Sequence, residues 1–242
     1  MTEFNLRLKA SVDANKFRYG YPWIYSNEII SDRRTKSLLP GSFCKLVDYN
    51  KNPICLVTVN PNSKIFARVM DYNLDTIINA YWLKDKISKA LAKRKEIFRD
   101  PFYRLVNAEA DELPGLIVDR FDNVIVMQPN AFWAENMSEI IANSIKDVCS
   151  IDVVIKNASG RPRRLEGLDD KNSVFFGDLP EAAISVPMNG AIYKADVHEG
   201  QKTGLFYDQR QNHKFVASLA NGKTVLDVFL SLIHISEPTR LA

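Results

Sequence analysis

The 242 residues contain only three cysteines and three histidines. Cys44, Cys55 and Cys149 make an odd count with no metal-ligand spacing, so neither a disulfide framework nor a zinc site is expected. Three small, buried or half-buried thiols in a reducing cytoplasm are expected instead. No apolar run approaches the roughly 18 residues of a membrane span, which excludes an integral helical membrane protein. The opening Met1-Thr2-Glu3-Phe4-Asn5-Leu6-Arg7 has no basic stretch leading into an apolar one, so no signal peptide is evident. Charge of one sign is scarce too: 32 Lys and Arg face 29 Asp and Glu, a net +3. That balance permits a nucleic-acid partner without arguing for one, because a local patch matters more than a sum. What remains is ordinary globular composition, 46% hydrophobic and 25% charged, which excludes global disorder. The length suits about one to three domains with real cores.

The first 70 or so residues read as short strands separated by turn chemistry. Leu6 to Ala10 alternates with period two. Ser42 to Tyr49 follows Pro40-Gly41 and runs into the turn cluster Asn50-Lys51-Asn52-Pro53. Pro53–Asn60 and Lys64–Met70 are two more β-rich runs, split by Asn60-Pro61-Asn62-Ser63. Strands at this spacing predict a small barrel or compact β domain. Asp75 then reads as the N-cap of a long helix, with Ala80, Leu83, Ile87, Ala90, Leu91, Arg94 and Phe98 along one face and Asp100-Pro101 as its stop.

Beyond Tyr103 the pattern returns to strands. Leu116–Arg120 and Val124–Gln128 flank the tight turn Asp122-Asn123. A second helix, capped by Asn130, carries Trp133, Met137, Ile140, Ile141, Ser144, Ile145 and Val148 on one face, and Ile151–Lys156 is a buried strand. Gly160-Arg161-Pro162-Arg163-Arg164 reads as a loop with three arginines around a proline. Ile184–Asp196 is strand-rich, with Asn189-Gly190 as a hairpin turn. The mixture over 74–185 predicts a second, α+β unit.

Gly200 to Arg210 is the densest polar-aromatic stretch in the chain. Asp208 and Gln211 have capping-box spacing, so a helix is expected from there to about Ala220. Lys223-Thr224-Val225-Leu226-Asp227-Val228-Phe229 then reads as a buried, parallel-type strand ending near an acid. Such a strand opens the ligand crevice of a doubly wound sheet.

Gln201-Lys202-Thr203-Gly204, Asp208-Gln209-Arg210 and Val225-Leu226-Asp227-Val228-Phe229 together resemble the large-subunit ribosomal RNA methyltransferase I family of S-adenosylmethionine-dependent cytosine-5 methyltransferases. Tyr21-Pro22-Trp23-Ile24-Tyr25-Ser26 resembles that family's PUA-domain signature, and Glu109 to Phe121 its central-domain signature. The resemblance implies a multidomain α/β and α+β protein. A PUA-like RNA-binding β-barrel would span 1–72, a central α+β domain 73–185, and the start of a Rossmann-like class I methyltransferase domain 186–229. It implies a cofactor site at Gln201, Lys202, Thr203, Gly204, Phe206, Tyr207, Asp208, Arg210 and Asp227. Carboxylates there would favour the sulfonium and ammonium groups of S-adenosylmethionine, although Asp208 also suits a helix cap and Phe206 a core position. Near the barrel signature, Lys16, Arg18 and Trp23 are candidates for phosphate contact and base stacking, with Arg161, Arg163 and Arg164 next. The expected partner is ribosomal RNA in the cytoplasm, with no membrane and no metal. Oligomeric state is not legible, a homodimer being allowed.

After Phe229 the family pattern calls for a Gly-rich turn, yet no glycine follows Gly222. Leu230-Ser231-Leu232-Ile233-His234-Ile235-Ser236-Glu237-Pro238-Thr239-Arg240 resembles the in-frame translation of a transposase adapter used in sequencing libraries. Residues 230–242 are therefore expected to be non-native, and His234 is no catalytic candidate. The family's nucleophilic cysteine is expected to lie beyond Phe229, because Cys44, Cys55 and Cys149 do not stand where a thiolate would attack a pyrimidine. No catalytic residue is assigned, and this chain is expected to be an inactive fragment. Two other readings stay open: a guanine-methylating relative, which needs no cysteine, and a non-catalytic RNA-binding protein.

Overall fold

The computed structural model describes residues 4–197, 200 and 203–226. The chain divides into two compact units, Met1–Leu179 and Pro180–Ala242.

The first unit opens with β1 (Asn5–Arg7), α1 (Asn15–Arg18), β2 (Trp23–Tyr25), α2 (Arg33–Lys36), β3 (Phe43–Val47), β4 (Pro53–Val59) and β5 (Ile65–Asp71). They form one sheet in the order β1-β3-β4-β5-β2, with β1 parallel to β3 and the other pairs antiparallel. Its two outer strands do not end in open edges. Lys9 N–H donates to Glu28 O at 2.9 Å and Ile30 N–H to Arg7 O at 2.8 Å, so the chain after β2 returns to β1 and the sheet curls closed. Closure removes the unpaired strand edges that invite association. Leu6, Leu8, Phe17, Ile24, Ile29, Leu46, Val57 and Phe66 fill the interior.

The long helix α3 (Ala80–Ile97) starts four residues later than the Asp75 reading requires. Asn79 is the cap: its side chain accepts from the N–H groups of Tyr81 and Trp82. Asp75 instead donates its own N–H to Asn73 in a preceding turn, a local bond that competes with helix initiation. Trp82, absent from the expected face, is buried with Leu83, Ile87, Ala90 and Leu91.

β6 (Phe102–Asn107), β7 (Leu116–Phe121), β8 (Val124–Pro129), β9 (Val153–Lys156) and β10 (Ser173–Phe176) form the second sheet, ordered β10-β9-β8-β7-β6. Only β8 and β9 run parallel, and the crossover that a parallel pair demands is made by helices. The expected second helix is in fact two, α4 (Phe132–Asn136) and α5 (Ser138–Cys149), separated at Met137. Ala131, not Asn130, is the N-cap, and no side chain caps this helix, while the Asn130 N–H goes to Gly115 O at 2.7 Å. Trp82 and Trp133 meet edge to face at 6.3 Å in the core between these helices and the sheet. The three-arginine loop is also corrected: it is a helix, α6 (Arg161–Glu166), with Pro162 in the first turn, where its missing N–H costs nothing.

The second unit contains the hairpin β11 (Ile184–Met188) and β12 (Ala191–Ala195), turned at Asn189-Gly190 with Asn189 at φ +55°. A 3₁₀ turn at Tyr207–Gln209 leads into α7 (Arg210–Leu219). The capping-box expectation fails here. Asp208 lies inside the 3₁₀ turn, and Gln209, in helical φ/ψ without a side-chain cap bond, precedes α7. A capping carboxylate needs extended φ/ψ at its own residue. Residues 223–226 form no strand, and Val225 and Leu226 are exposed. Among the described residues of this unit β11 and β12 pair with each other alone, and a strand exists only with a ladder partner. The rest of that expected strand, and the tail 230–242, lie outside the described residues.

Candidate functional site

The two N-terminal sequence signatures, 86 residues apart, meet in space. Trp23 Nε1 donates to Glu109 at 2.8 Å, and Arg68 on β5 bonds both Glu109 (3.3 Å) and Glu166 at the end of α6 (2.7 Å). Asn60 Nδ2 (2.8 Å) and the Ser63 hydroxyl (3.1 Å) also reach Glu166. The first half of the Glu109–Phe121 signature is spent on architecture in the same way. Asp111 takes a two-pronged grip from Arg94 and accepts the Asn107 N–H at 2.7 Å. Pro114 O accepts from Trp133 Nε1 at 2.8 Å. The barrel sheet is thereby pinned to α6 and the turn after β6 by bonds from half-buried or buried groups. Thr58, Asn60, Arg68, Phe132 and Glu166 line a small crevice at that junction.

Each of the three RNA candidates already has a partner within the protein. Lys16 pairs with Glu28 and lies over the rings of Phe17 (4.7 Å) and Tyr21 (5.0 Å). Arg18 reaches Asp48 at 3.3 Å; Asp48 is itself held below the usual carboxylate range, foremost by the Asn52 side chain. Trp23 is half-buried with its N–H committed to Glu109. Of the reserve candidates, Arg163 is fully buried and bonds Pro129 O, Glu135 and Asp169, whereas Arg161 and Arg164 are exposed.

Of the nine cofactor candidates, Gln201, Lys202 and Asp227 lie outside the described residues. Thr203 and Tyr207 are buried, Gly204, Phe206 and Arg210 half-buried, and Asp208 exposed. Gly204 sits at φ +103°, where a Cβ would stand 2.5 Å from Asp196 O. Its missing side chain thus lets the loop close on its own backbone. Asn189 Nδ2 donates to Arg210 O at 2.8 Å, tying the hairpin turn to the start of α7.

None of the thiols is suited to nucleophilic work. Burial pushes Cys44 and Cys55 up to about 12 and Cys149 to about 11, which leaves a negligible thiolate fraction at neutral pH. Among the described residues no group of three or more His, Cys, Asp or Glu could hold a metal ion, and no helix is long and apolar enough to cross a membrane.

Sequence reasoning missed the Arg68–Glu166–Asn60 junction entirely. Its members are isolated polar residues with no periodicity; only burial reveals them.

Residues 6–72 match the family model of a PUA-like domain. The chain is 31% identical over 237 residues to a ribosomal RNA large subunit methyltransferase of Deinococcus radiodurans, covering 93% of this chain and 57% of that protein. It is 30% identical over 212 residues to ribosomal RNA large subunit methyltransferase I of Shewanella frigidimarina, covering 86% and 53%. The chain thus spans about half the length of the curated relatives it matches. Among solved structures, a candidate SAM-dependent methyltransferase from Streptococcus mutans shares the fold with a TM-score of 0.73 at 15% identity, covering 88% of this chain and 54% of that one. A candidate methyltransferase solved in complex with SAH gives 0.71 at 16%, covering 88% and 53%.

Proposed function

From its likeness to ribosomal RNA large subunit methyltransferases and its PUA-like match, we propose that this chain belongs to the large-subunit ribosomal RNA methyltransferase I family and is the RNA-recognising part, and the beginning of the catalytic part, of a cytoplasmic enzyme that methylates large-subunit ribosomal RNA at C5 of a cytosine. Residues 1–72 are the RNA-binding barrel, 73–185 a central domain that holds it, 186–229 the start of the methyltransferase domain, and 230–242 a non-native tail. The observation that carries the reading is the PUA-like match over the closed barrel, joined to kinship with ribosomal RNA methyltransferases over 237 residues.

S-adenosylmethionine, when bound, supplies a methyl group on a sulfonium. Within this chain Gln201, Lys202, Thr203, Gly204, Asp208 and Arg210 would line its site, Asp227 would stand near its methionine end, and Phe206 or Tyr207 would offer an apolar wall. Buried Thr203 and Tyr207 shape the loop from within. C5 of cytosine becomes nucleophilic only after a thiolate adds to the ring. Cys44, Cys55 and Cys149 are all held protonated, so the nucleophile is assigned to residues that this chain does not supply, and the 242-residue chain alone transfers no methyl group.

The test is a chimera in which residues 4–226 replace the matched stretch of the Deinococcus radiodurans relative. It is expected to transfer label from methyl-tritiated S-adenosylmethionine to large-subunit ribosomal RNA, with 5-methylcytidine in the digest. Methylguanosine would favour the guanine reading, and a folded, RNA-binding chimera that transfers nothing would favour the non-catalytic one.

A further inference from the structure

We propose that RNA phosphates are gripped by a basic rim where the barrel meets the central domain, formed by Lys64, Arg161 and Arg164 and continued by Arg33, Arg34 and Lys36. The inference rests on the RNA reading above and names the surface that reading uses.

Three groups of cations in the first unit differ in what they face, and Lys93, Lys95 and Arg99 at the far end of α3 share the exposure of the third without its anchoring at the junction. Arg163, Arg68 and Arg94 are buried or half-buried and consumed by structural carboxylates. Lys16 and Arg18 reach the surface but already face Glu28 and Asp48. A phosphate arriving there must displace a carboxylate, so the exchange of one anion for another yields little net attraction. The six rim residues are exposed, and among the described residues none forms an ion pair, although the Asp32 carboxylate feels the charge of Arg34. A phosphate meets Lys64, Arg161 and Arg164 with only water and counterions to release, which is the source of polyelectrolyte affinity.

The rim is also fixed in place. On α6, Arg163 and Glu166 face inward, the first bonding Pro129 O, Glu135 and Asp169, the second Asn60, Ser63 and Arg68. Arg161 and Arg164, three apart, are therefore left on the outward face as neighbours, with Cβ atoms about 5–6 Å apart in a regular helix. Lys64 is exposed directly after Ser63, whose hydroxyl touches Glu166, which puts a third cation beside the end of α6. The other side of the same strand end receives the chain from α2. Gly41 N–H donates to Val59 O at 2.7 Å, and Asn136 Nδ2 to Pro40 O at 3.2 Å. Lys36 is four residues from Pro40, at most about 14 Å of chain. α2 itself is held by a reciprocal capping box between Asp32 and buried Thr35, so Arg33, Arg34 and Lys36 project from an ordered turn. Cations on anchored turns lose less freedom on binding than cations on loose chain. Positive charge against a phosphate backbone is the complementarity that commits this surface to RNA.

The experiment uses the 242-residue chain and a fluorescent single-stranded RNA of about 20 nucleotides, titrated from about 50 to about 300 mM KCl; single strands give a slope of about −0.7 per phosphate neutralised. K64A/R161A/R164A is expected to flatten that slope by about 2 and to weaken binding at low salt by about tenfold or more, with an unchanged thermal midpoint. R33A/R34A/K36A weakens it further, the charge-preserving R161K/R164K retains the slope, and K16A/R18A stays within about twofold of the parent. If K64A/R161A/R164A keeps the parent slope while K16A/R18A loses it, the rim is overturned and the RNA reading stands with its surface on the α1 side of the barrel. If the parent chain binds the RNA with no salt-dependent affinity, the RNA reading falls and takes the rim with it.

Discussion

Within one short helix the structure assigns opposite roles to adjacent arginines, and Arg163→Met tests that assignment. The Arg163 side chain is fully buried, with its guanidinium against Glu135 at 2.7 Å, Asp169 O at 2.8 and 2.9 Å, Asp169 Oδ1 at 3.3 Å, and Pro129 O. Methionine restores most of the volume but none of the donors. Glu135 keeps Lys156 at 2.7 Å, which offsets part of the loss. Two backbone carbonyls are left without that partner, at about 1–3 kcal/mol for each group stranded away from water. Removing one side of a buried ion pair costs about 3–5 kcal/mol, and that is the expected total. With a urea slope of about 2 kcal/mol per molar, the midpoint falls by about 1.5–2.5 M. R161A/R164A, which removes two exposed neighbours on the same turn, is expected to stay within about 0.5 kcal/mol. Urea titration followed by tryptophan fluorescence reads all three proteins. An R163M midpoint within experimental error of the parent, or an R161A/R164A loss as large as that of R163M, would refute the inward and outward sorting on which the basic rim depends.

Three further outcomes follow from the same packing. The buried thiols of Cys44 and Cys55 hold pKa values of about 12 against an ordinary 9.0. Their raised values are neutral to stability below pH 9 and cost stability as pH climbs from 9 toward 12, because the unfolded chain ionises first; urea midpoints across that window should fall, and fall less steeply in C44A/C55A. Arg68→Met leaves Glu109 and Glu166 without their shared cation, and a loss of about 3 kcal/mol should come with a change in Trp23 emission, since Trp23 shares Glu109. Gly41→Ala forces φ +84° on a residue with a side chain and sets its Cβ 3.0 Å from backbone atoms of Phe132 and Trp133; a thermal midpoint unchanged by that substitution would show that the barrel does not lean on α4 there.

The parts legible in the sequence were those written in periodicity. The barrel strands at 43–47, 53–59 and 65–71 and the pair 116–121 and 124–129 show themselves as β-rich runs between turn residues. Caps were less legible, because several polar residues compete at each helix start. Asn79, not Asp75, supplies the acceptor for the first N–H groups of α3, and Ala131 rather than Asn130 stands at the start of α4. The arginine run at 161–164 shows the limit most plainly: spacing alone makes the three equivalent, and only Glu135, Asp169 and Pro129, brought in from other elements, select the middle one as core. Trp23 is similar, an aromatic beside a basic cluster whose indole N–H turns out to hold Glu109, 86 residues away. The cofactor candidates were visible only through resemblance, and three of the nine fall outside the described residues.

Label transfer from methyl-tritiated S-adenosylmethionine to large-subunit ribosomal RNA, measured side by side for the 242-residue chain and for the chimera carrying residues 4–226 in the Deinococcus radiodurans relative, bears most directly on the central claim. The account predicts tritium in 5-methylcytidine from the chimera and none from the chain alone. Label transferred by the chain alone, or none from a folded chimera that still binds the RNA, would contradict it.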